Sequence, residues 1–109
     1  MNVAQMVTEL ELTVFAAADT EREVSGGYVG DLLSWVMGRA QEGQAWITIM
    51  SNQNVAAVAA LSDVACVILS EGVQPDPDLL KKAQTQGINL LGTSQSAYQI
   101  AVGLSKLLA

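Results

Sequence analysis

Four polar, uncharged residues, Ser51-Asn52-Gln53-Asn54, stand between an apolar run, Trp46 to Met50, and an alanine-rich stretch. Hydroxyls and amides at a strand-to-helix turn can cap the helix or hold a ligand through neutral hydrogen bonds. Three other stretches share this chemistry: "SGGY" after Val24, "SEG" after Leu69 and "GTSQS" after Leu91. Apart from Glu71 they are uncharged, which suits a neutral polar group or a phosphate held by backbone N–H groups. The candidate ligand-binding residues are Gly26, Gly27, Ser51, Asn52, Gln53, Asn54, Ser70, Gly72, Thr93 and Ser94. Capping explains each of these residues singly. Ligand binding explains why four loops share one chemistry.

Reactive chemistry is poorly provided for. The chain has no histidine, the commonest general base and transition-metal ligand. One cysteine, Cys66, cannot build a zinc site, and within "ACVIL" it reads as a small hydrophobe. No GxxxxGK[ST] occurs, and "GGYVG" lacks the spacing of a dinucleotide fingerprint. The expectation is no catalysis, no metal and no cofactor.

Composition narrows the partners. The 109 residues, half of them hydrophobic and 15% charged, fit one domain with a real core, spanning 1–109. The net charge of −6, with five scattered basic residues, leaves no positive stripe for phosphates. Nucleic acid and an anionic membrane surface are therefore excluded as partners, and a small metabolite or a protein remains. No apolar run approaches the roughly 20 residues that span a bilayer. "MNVAQMVTELEL" lacks the basic start and apolar core of a signal peptide, so a cytoplasmic location is expected.

Periodicity gives the secondary structure on which these residues sit. Val3, Met6, Val7 and Leu10 share a helical face, and Asn2 can cap it. Leu12 to Phe15 reads as a short strand. Gly26 and Gly27 are expected to break regular structure, as a turn or a close backbone approach. Asp31 is a plausible N-cap for a helix running to Gly38. From Trp46 onward the order is strand, helix, strand, helix, strand, helix, with strands Trp46 to Met50, Ala65 to Leu69 and Ile88 to Leu91. Asp76, Pro77 and Gly87 punctuate the middle of these helices, and Ser96 to Leu108 forms the last. Short continuous apolar strands joined by helices indicate an α/β fold: a mostly parallel sheet of four to five strands with helices packed on it. In such a sheet ligands bind beyond the carboxyl ends of the strands, where all four polar loops are expected to gather.

The helix after the glycines carries Leu32, Leu33, Trp35, Val36 and Met37, more apolar side chains than one buried face uses. Leu32, Trp35 and Met37 are the candidate interface residues of a homodimer. Burial of the helix on both sides within one chain is the alternative. Trp46 reads as core.

"WITIMSNQNVAAVAALSDVACVILSEGVQPDPDLLKKAQTQGINLLGTSQSAYQIA", with "EVSGGYVGDLLSWVMG" before it, resembles the DRTGG domain. That resemblance implies a fold similar to the N-terminal, non-catalytic domain of HPr kinase/phosphatase. It also implies a module that dimerises and assists regulation, either as a scaffold or by sensing a small metabolite or nucleotide. Stand-alone relatives are often encoded with iron-only hydrogenase or NADH-linked electron-transfer components, which implies a link to redox metabolism. Two departures stand out. Ser51-Asn52 lies where the family has Asp-Arg, and Ser70-Glu71-Gly72 where it has Thr-Gly-Gly. The resemblance thus implies an inherited site position whose anion-binding chemistry has changed.

Overall fold

The central strands are apolar on both sides because helices cover both. In the computed structural model, which describes residues 1–109, these are β3 (Gln44–Thr48), β4 (Cys66–Leu69) and β5 (Leu90–Gly92). They are flanked by β1 (Thr13–Ala16) and β2 (Gly26–Val29) in the order β1-β5-β4-β3-β2. β2 to β5 run parallel, and β1 pairs antiparallel with β5. The five helices are α1 (Val3–Glu9), α2 (Leu33–Arg39), α3 (Asn54–Ser62), α4 (Pro77–Gln86) and α5 (Ala97–Leu108).

Alternation within β3 and β4 splits the core in two. Trp46, Val67 and Leu69 face α2, α3 and α4, packing with Val36, Val55 and Leu79. Ala45, Ile47, Cys66 and Ile68 face α1 and α5, packing with Met6, Ile100 and Leu104. Each buried branched side chain contributes about 1.5–3 kcal/mol. The parallel order carries the right-handed crossovers expected of such units.

Caps set the element boundaries. Asn2 accepts from the Gln5 N–H at 2.8 Å, and Gln5 Oε1 accepts from the Asn2 N–H at 2.9 Å. Ser96 and Gln99 repeat this capping box at α5, so the helix starts at Ala97. Gly87 ends α4 at φ 71°, a left-handed position that suits glycine. Asp63 ends α3 in the same conformation at φ 55°. There the Arg22 guanidinium donates to Asp63 Oδ1 at 2.7 Å and to its carbonyl at 2.6 Å, which holds the Asp63 carboxyl below its ordinary pKa.

Three sequence expectations are corrected. Gly26 and Gly27 do not break regular structure, because they open β2. The close approach is real: a Cβ on Gly27 would sit 2.9 Å from Leu104 Cδ2 of α5. Asp31 does not cap α2, whose N-cap is Leu32 without a side-chain bond. Its carboxylate instead accepts from Thr48 Oγ1 at 2.9 Å and from the Ile49 N–H at 3.0 Å, pinning the end of β2 to the end of β3. Asp76 occupies the N-cap of α4 but makes no capping bond, and accepts from Ser51 Oγ at 3.1 Å.

Asn89 is a buried polar residue that the apolar run "GINLL" hides. Its Nδ2 donates to the carbonyls of Asp19 at 2.8 Å and Ala65 at 3.0 Å, and its Oδ1 accepts from the Ala18 N–H at 2.7 Å. One side chain thus ties the segment before β2 to the sheet. Asn89→Leu leaves the buried Ala65 carbonyl without this donor and cuts the ties to Ala18 and Asp19, and a loss of about 1–3 kcal/mol is expected. Urea unfolding measures it; a change below about 0.5 kcal/mol contradicts the role assigned to the amide.

Candidate functional site

Parallel strands deliver their carboxyl ends to one edge of the sheet. There the Ser51–Asn54 turn follows β3, Ser70-Glu71-Gly72 follows β4 and Thr93–Ser96 follows β5. Gly30 and Asp31 complete the edge after β2. The nominated residues Ser51, Asn52, Gln53, Asn54, Ser70, Gly72, Thr93 and Ser94 therefore come together. Gly26 and Gly27 do not join them. They lie at the amino end of β2, opposite Gln44 and Ala45, at the far edge. The strand does not precede the glycines but contains them, and this reverses their end.

Most polar groups at the gathered edge are engaged within the chain. Ser51 Oγ donates to Asp76, and the Ser51 carbonyl accepts from the Asp76 N–H at 3.0 Å. Asn52 Oδ1 accepts from the Asn54 N–H at 2.9 Å, a side-chain turn that starts α3. Thr93 Oγ1 accepts from the Gln95 N–H at 3.2 Å. Glu71 and Gly72 are both left-handed, at φ 61° and 71°, which points successive N–H groups one way. Such a pair can bind an anion. Here the Glu71 N–H donates to the Gln95 carbonyl at 2.8 Å and the Gly72 N–H to the Thr93 carbonyl at 2.9 Å. The would-be anion cradle closes on the neighbouring loop.

What remains unengaged is small. The side chains of Gln53, Asn54 and Ser94 are exposed and make no hydrogen bond within the chain. Ser70 Oγ is buried without a partner. Asp31, read from sequence as a helix cap, is a carboxyl-bearing side chain at this edge that the site reading missed. Its distance of 17 residues from Thr48 gave no local signal.

Cavity volume lies elsewhere. An open cleft of about 480 Å³ runs between α5 and β2, lined by Gly26, Gly27, Val29, Ile47, Leu104 and Leu108 among others. No charged side chain lines it. The two glycines thus border a cleft that none of the polar turns lines.

Reactive groups are few. Burial pushes the Cys66 thiol up to about 12, so it stays protonated and is no nucleophile at neutral pH. No three His, Cys, Asp or Glu side chains converge on a point that could hold a metal. No helix is long and apolar enough to cross a membrane. At the N-cap of α2 and along it, Leu32, Trp35 and Met37 are 60%, 55% and 50% exposed, so this helix is not buried on both sides. The Arg39 guanidinium stacks 4.0 Å from the Trp35 ring centre and steadies the indole at the surface.

The fold and its edges define a small α/β domain whose polar turns serve mainly its own closure and whose exposed features are apolar surfaces. The family model of the DRTGG domain matches residues 5–107, and the chain belongs to that family. No curated protein matches it in sequence. Among solved structures it is similar to the CBS and DRTGG domains of the regulatory region of Clostridium perfringens pyrophosphatase, complexed with the activator diadenosine tetraphosphate. That likeness has a TM-score of 0.69 at 17% identity and covers 94% of this chain. The chain spans 47% of the length of that structure's chain.

The residue at position 71 carries a structural cost. Glu71 holds a left-handed conformation that disfavours a side chain by roughly 1–2 kcal/mol. Glu71→Gly relieves it but loosens the unfolded chain, so a net gain of about 0.5–1 kcal/mol is expected. Urea or thermal unfolding reads the sign; destabilisation instead assigns the Glu71 side chain a supporting role.

Proposed function

We propose that this protein is a non-catalytic regulatory or scaffold module that works as a homodimer. The exposed α2 ridge carries the proposal. Leu32 and Trp35 stand clear of the monomer's core, and a rigid, steadied indole is the kind of side chain that anchors interfaces. The absence of an activated nucleophile, with Cys66 buried and protonated, supports a role exerted through binding. Membership of the DRTGG family supports regulation, since the similar structure lies within a pyrophosphatase regulatory region. The resemblance extends the proposal to a cytoplasmic role linked to hydrogenase or NADH-related redox metabolism.

Sedimentation equilibrium at micromolar concentration tests the proposal. The expected result is a dimer, with Trp35→Ala raising its dissociation constant at least tenfold, about 1.4 kcal/mol or more. Met37→Asp is expected to weaken it as well. A clean monomer overturns the reading.

A second reading is a small-metabolite or nucleotide sensor at the carboxyl edge of the strands. Two observations favour it: the similar pyrophosphatase region was solved with diadenosine tetraphosphate, and Gln53, Asn54 and Ser94 have free side chains. Opposing it, the backbone N–H groups of Glu71 and Gly72 are occupied, and Glu71 would repel phosphate. Thermal unfolding with diadenosine tetraphosphate, ATP or AMP separates the readings. A sensor gains about 2.7 kcal/mol at a hundredfold excess over the dissociation constant, and a scaffold gains nothing.

A further inference from the structure

The two outer edges of the sheet are built differently. β1 shifts register between Val14 and Ala16, an irregularity that discourages further pairing. At β2 only the chain before the strand is covered, where Asn2 bridges Glu23 and the Val24 N–H donates to the Met1 carbonyl at 2.9 Å, and Gly26 to Val29 have no such partner. Gly26-Gly27-Tyr28-Val29 carries no charge and no proline, and its register with β3 is continuous. Gly30 donates its N–H to the Ile47 carbonyl at 3.2 Å. By alternation Tyr28 also bonds toward β3, and Gly27 and Val29 turn their N–H and C=O groups outward.

Both faces beside this edge are apolar. On the α5 side lies the cleft that no charged side chain lines, with Leu104 resting over the bare Gly27. Val29 lines the same cleft and is 51% exposed. On the other face, the right-handed β2–α2–β3 crossover makes α2 the outermost helix, with α3 as its helical neighbour. Val36 and Ala40 are buried, and the helical turn then carries Leu32, Trp35 and Arg39 to the flank away from α3, beside β2.

We infer that β2 pairs antiparallel with β2 of a second copy, about a twofold axis at Tyr28, joining two sheets into one. The inference rests on the homodimer reading and names its contact. In this register Gly27 exchanges both backbone hydrogen bonds with Val29 of the partner subunit, and Tyr28 faces Tyr28 of the partner subunit. Each Val29 side chain then lies beside a glycine that offers no side chain of its own, at the mouth of the cleft under Leu104. The α2 flanks bearing Leu32 and Trp35 approach across the same axis. Two observations select a second copy as the occupant. The small-to-large order of Gly27 and Val29 is self-complementary about a dyad at Tyr28. The strand itself, Gly26 to Val29, also brings no acidic side chain to its copy, although the chain carries a net charge of −6 and Asp31 is exposed just beyond its end.

Cross-linking tests the contact. Directly opposed residues of a non-hydrogen-bonded antiparallel pair have Cα atoms about 4.5 Å apart, within disulfide range. Tyr28→Cys, with Cys66 left buried, is expected to form a disulfide-linked dimer on mild oxidation. Val29→Asp is expected to raise the dissociation constant at least tenfold, whereas Val14→Asp, at the opposite edge, leaves it unchanged. Because Tyr28 packs partly against the core, circular dichroism checks its folding, and the exposed Val29→Asp carries the test should Tyr28→Cys unfold. A wild-type dimer that neither cross-links through Tyr28→Cys nor weakens with Val29→Asp overturns the β2 contact and leaves the homodimer standing. A wild-type monomer overturns both.

Discussion

The ladder of β3, β4 and β5, shut off from water on both faces, is the constraint to which every other element answers. A strand buried on both sides must satisfy its backbone through neighbouring strands and find apolar cover above and below. Trp46 and Ile47, adjacent in sequence, therefore belong to different halves of the core. That requirement commits α2, α3 and α4 to one layer and α1 and α5 to the other. The one polar group of the Trp46 indole is met where it is buried, at the Gly30 carbonyl 2.8 Å away.

At the carboxyl edge of the sheet, a position suited to ligands is given over to the fold. Parallel topology gathers turns and helix starts there, and each leaves N–H groups in need of acceptors. Ser51, Asn52, Thr93 and Ser96 supply bonds locally, while the Gln95 and Thr93 carbonyls take the N–H groups of Glu71 and Gly72. Polar composition and binding capacity therefore part company at this edge. Exposed Gln53, Asn54 and Ser94 remain available, whereas the backbone donors best suited to a phosphate are engaged.

The free resources of the molecule lie at its β2 side. A strand edge open along Gly26 to Val29, a cleft lined by no charged side chain and an exposed aromatic helix flank occur together. Apolar surface left out of a core costs hydration free energy in the isolated chain, about 25 cal/mol per Å², and association recovers it. This physical economy is the common thread between α2, whose excess of large side chains is visible in sequence, and β2, whose exposure is not.

Much of the architecture was legible in the residues. The Asn2 cap, the Pro77–Gly87 punctuation and the continuous apolar strands are local signals, because a helix end or a twice-covered strand imposes its demands on neighbouring residues. The same holds for the excess apolar ridge Leu32–Met37 and for the buried Trp46. Tertiary structure decided what depends on partners distant in sequence. Gly27 became a strand residue because it pairs with Ala45 of β3, with Leu104 of α5 leaving no room for a side chain, and Asp31 became a β2–β3 clasp because Thr48 comes within reach. Asn89 became a buried three-way tie for the same reason. In each case the residue type allowed several roles, and the choice fell to a hydrogen bond or contact that exists only once the sheet has assembled.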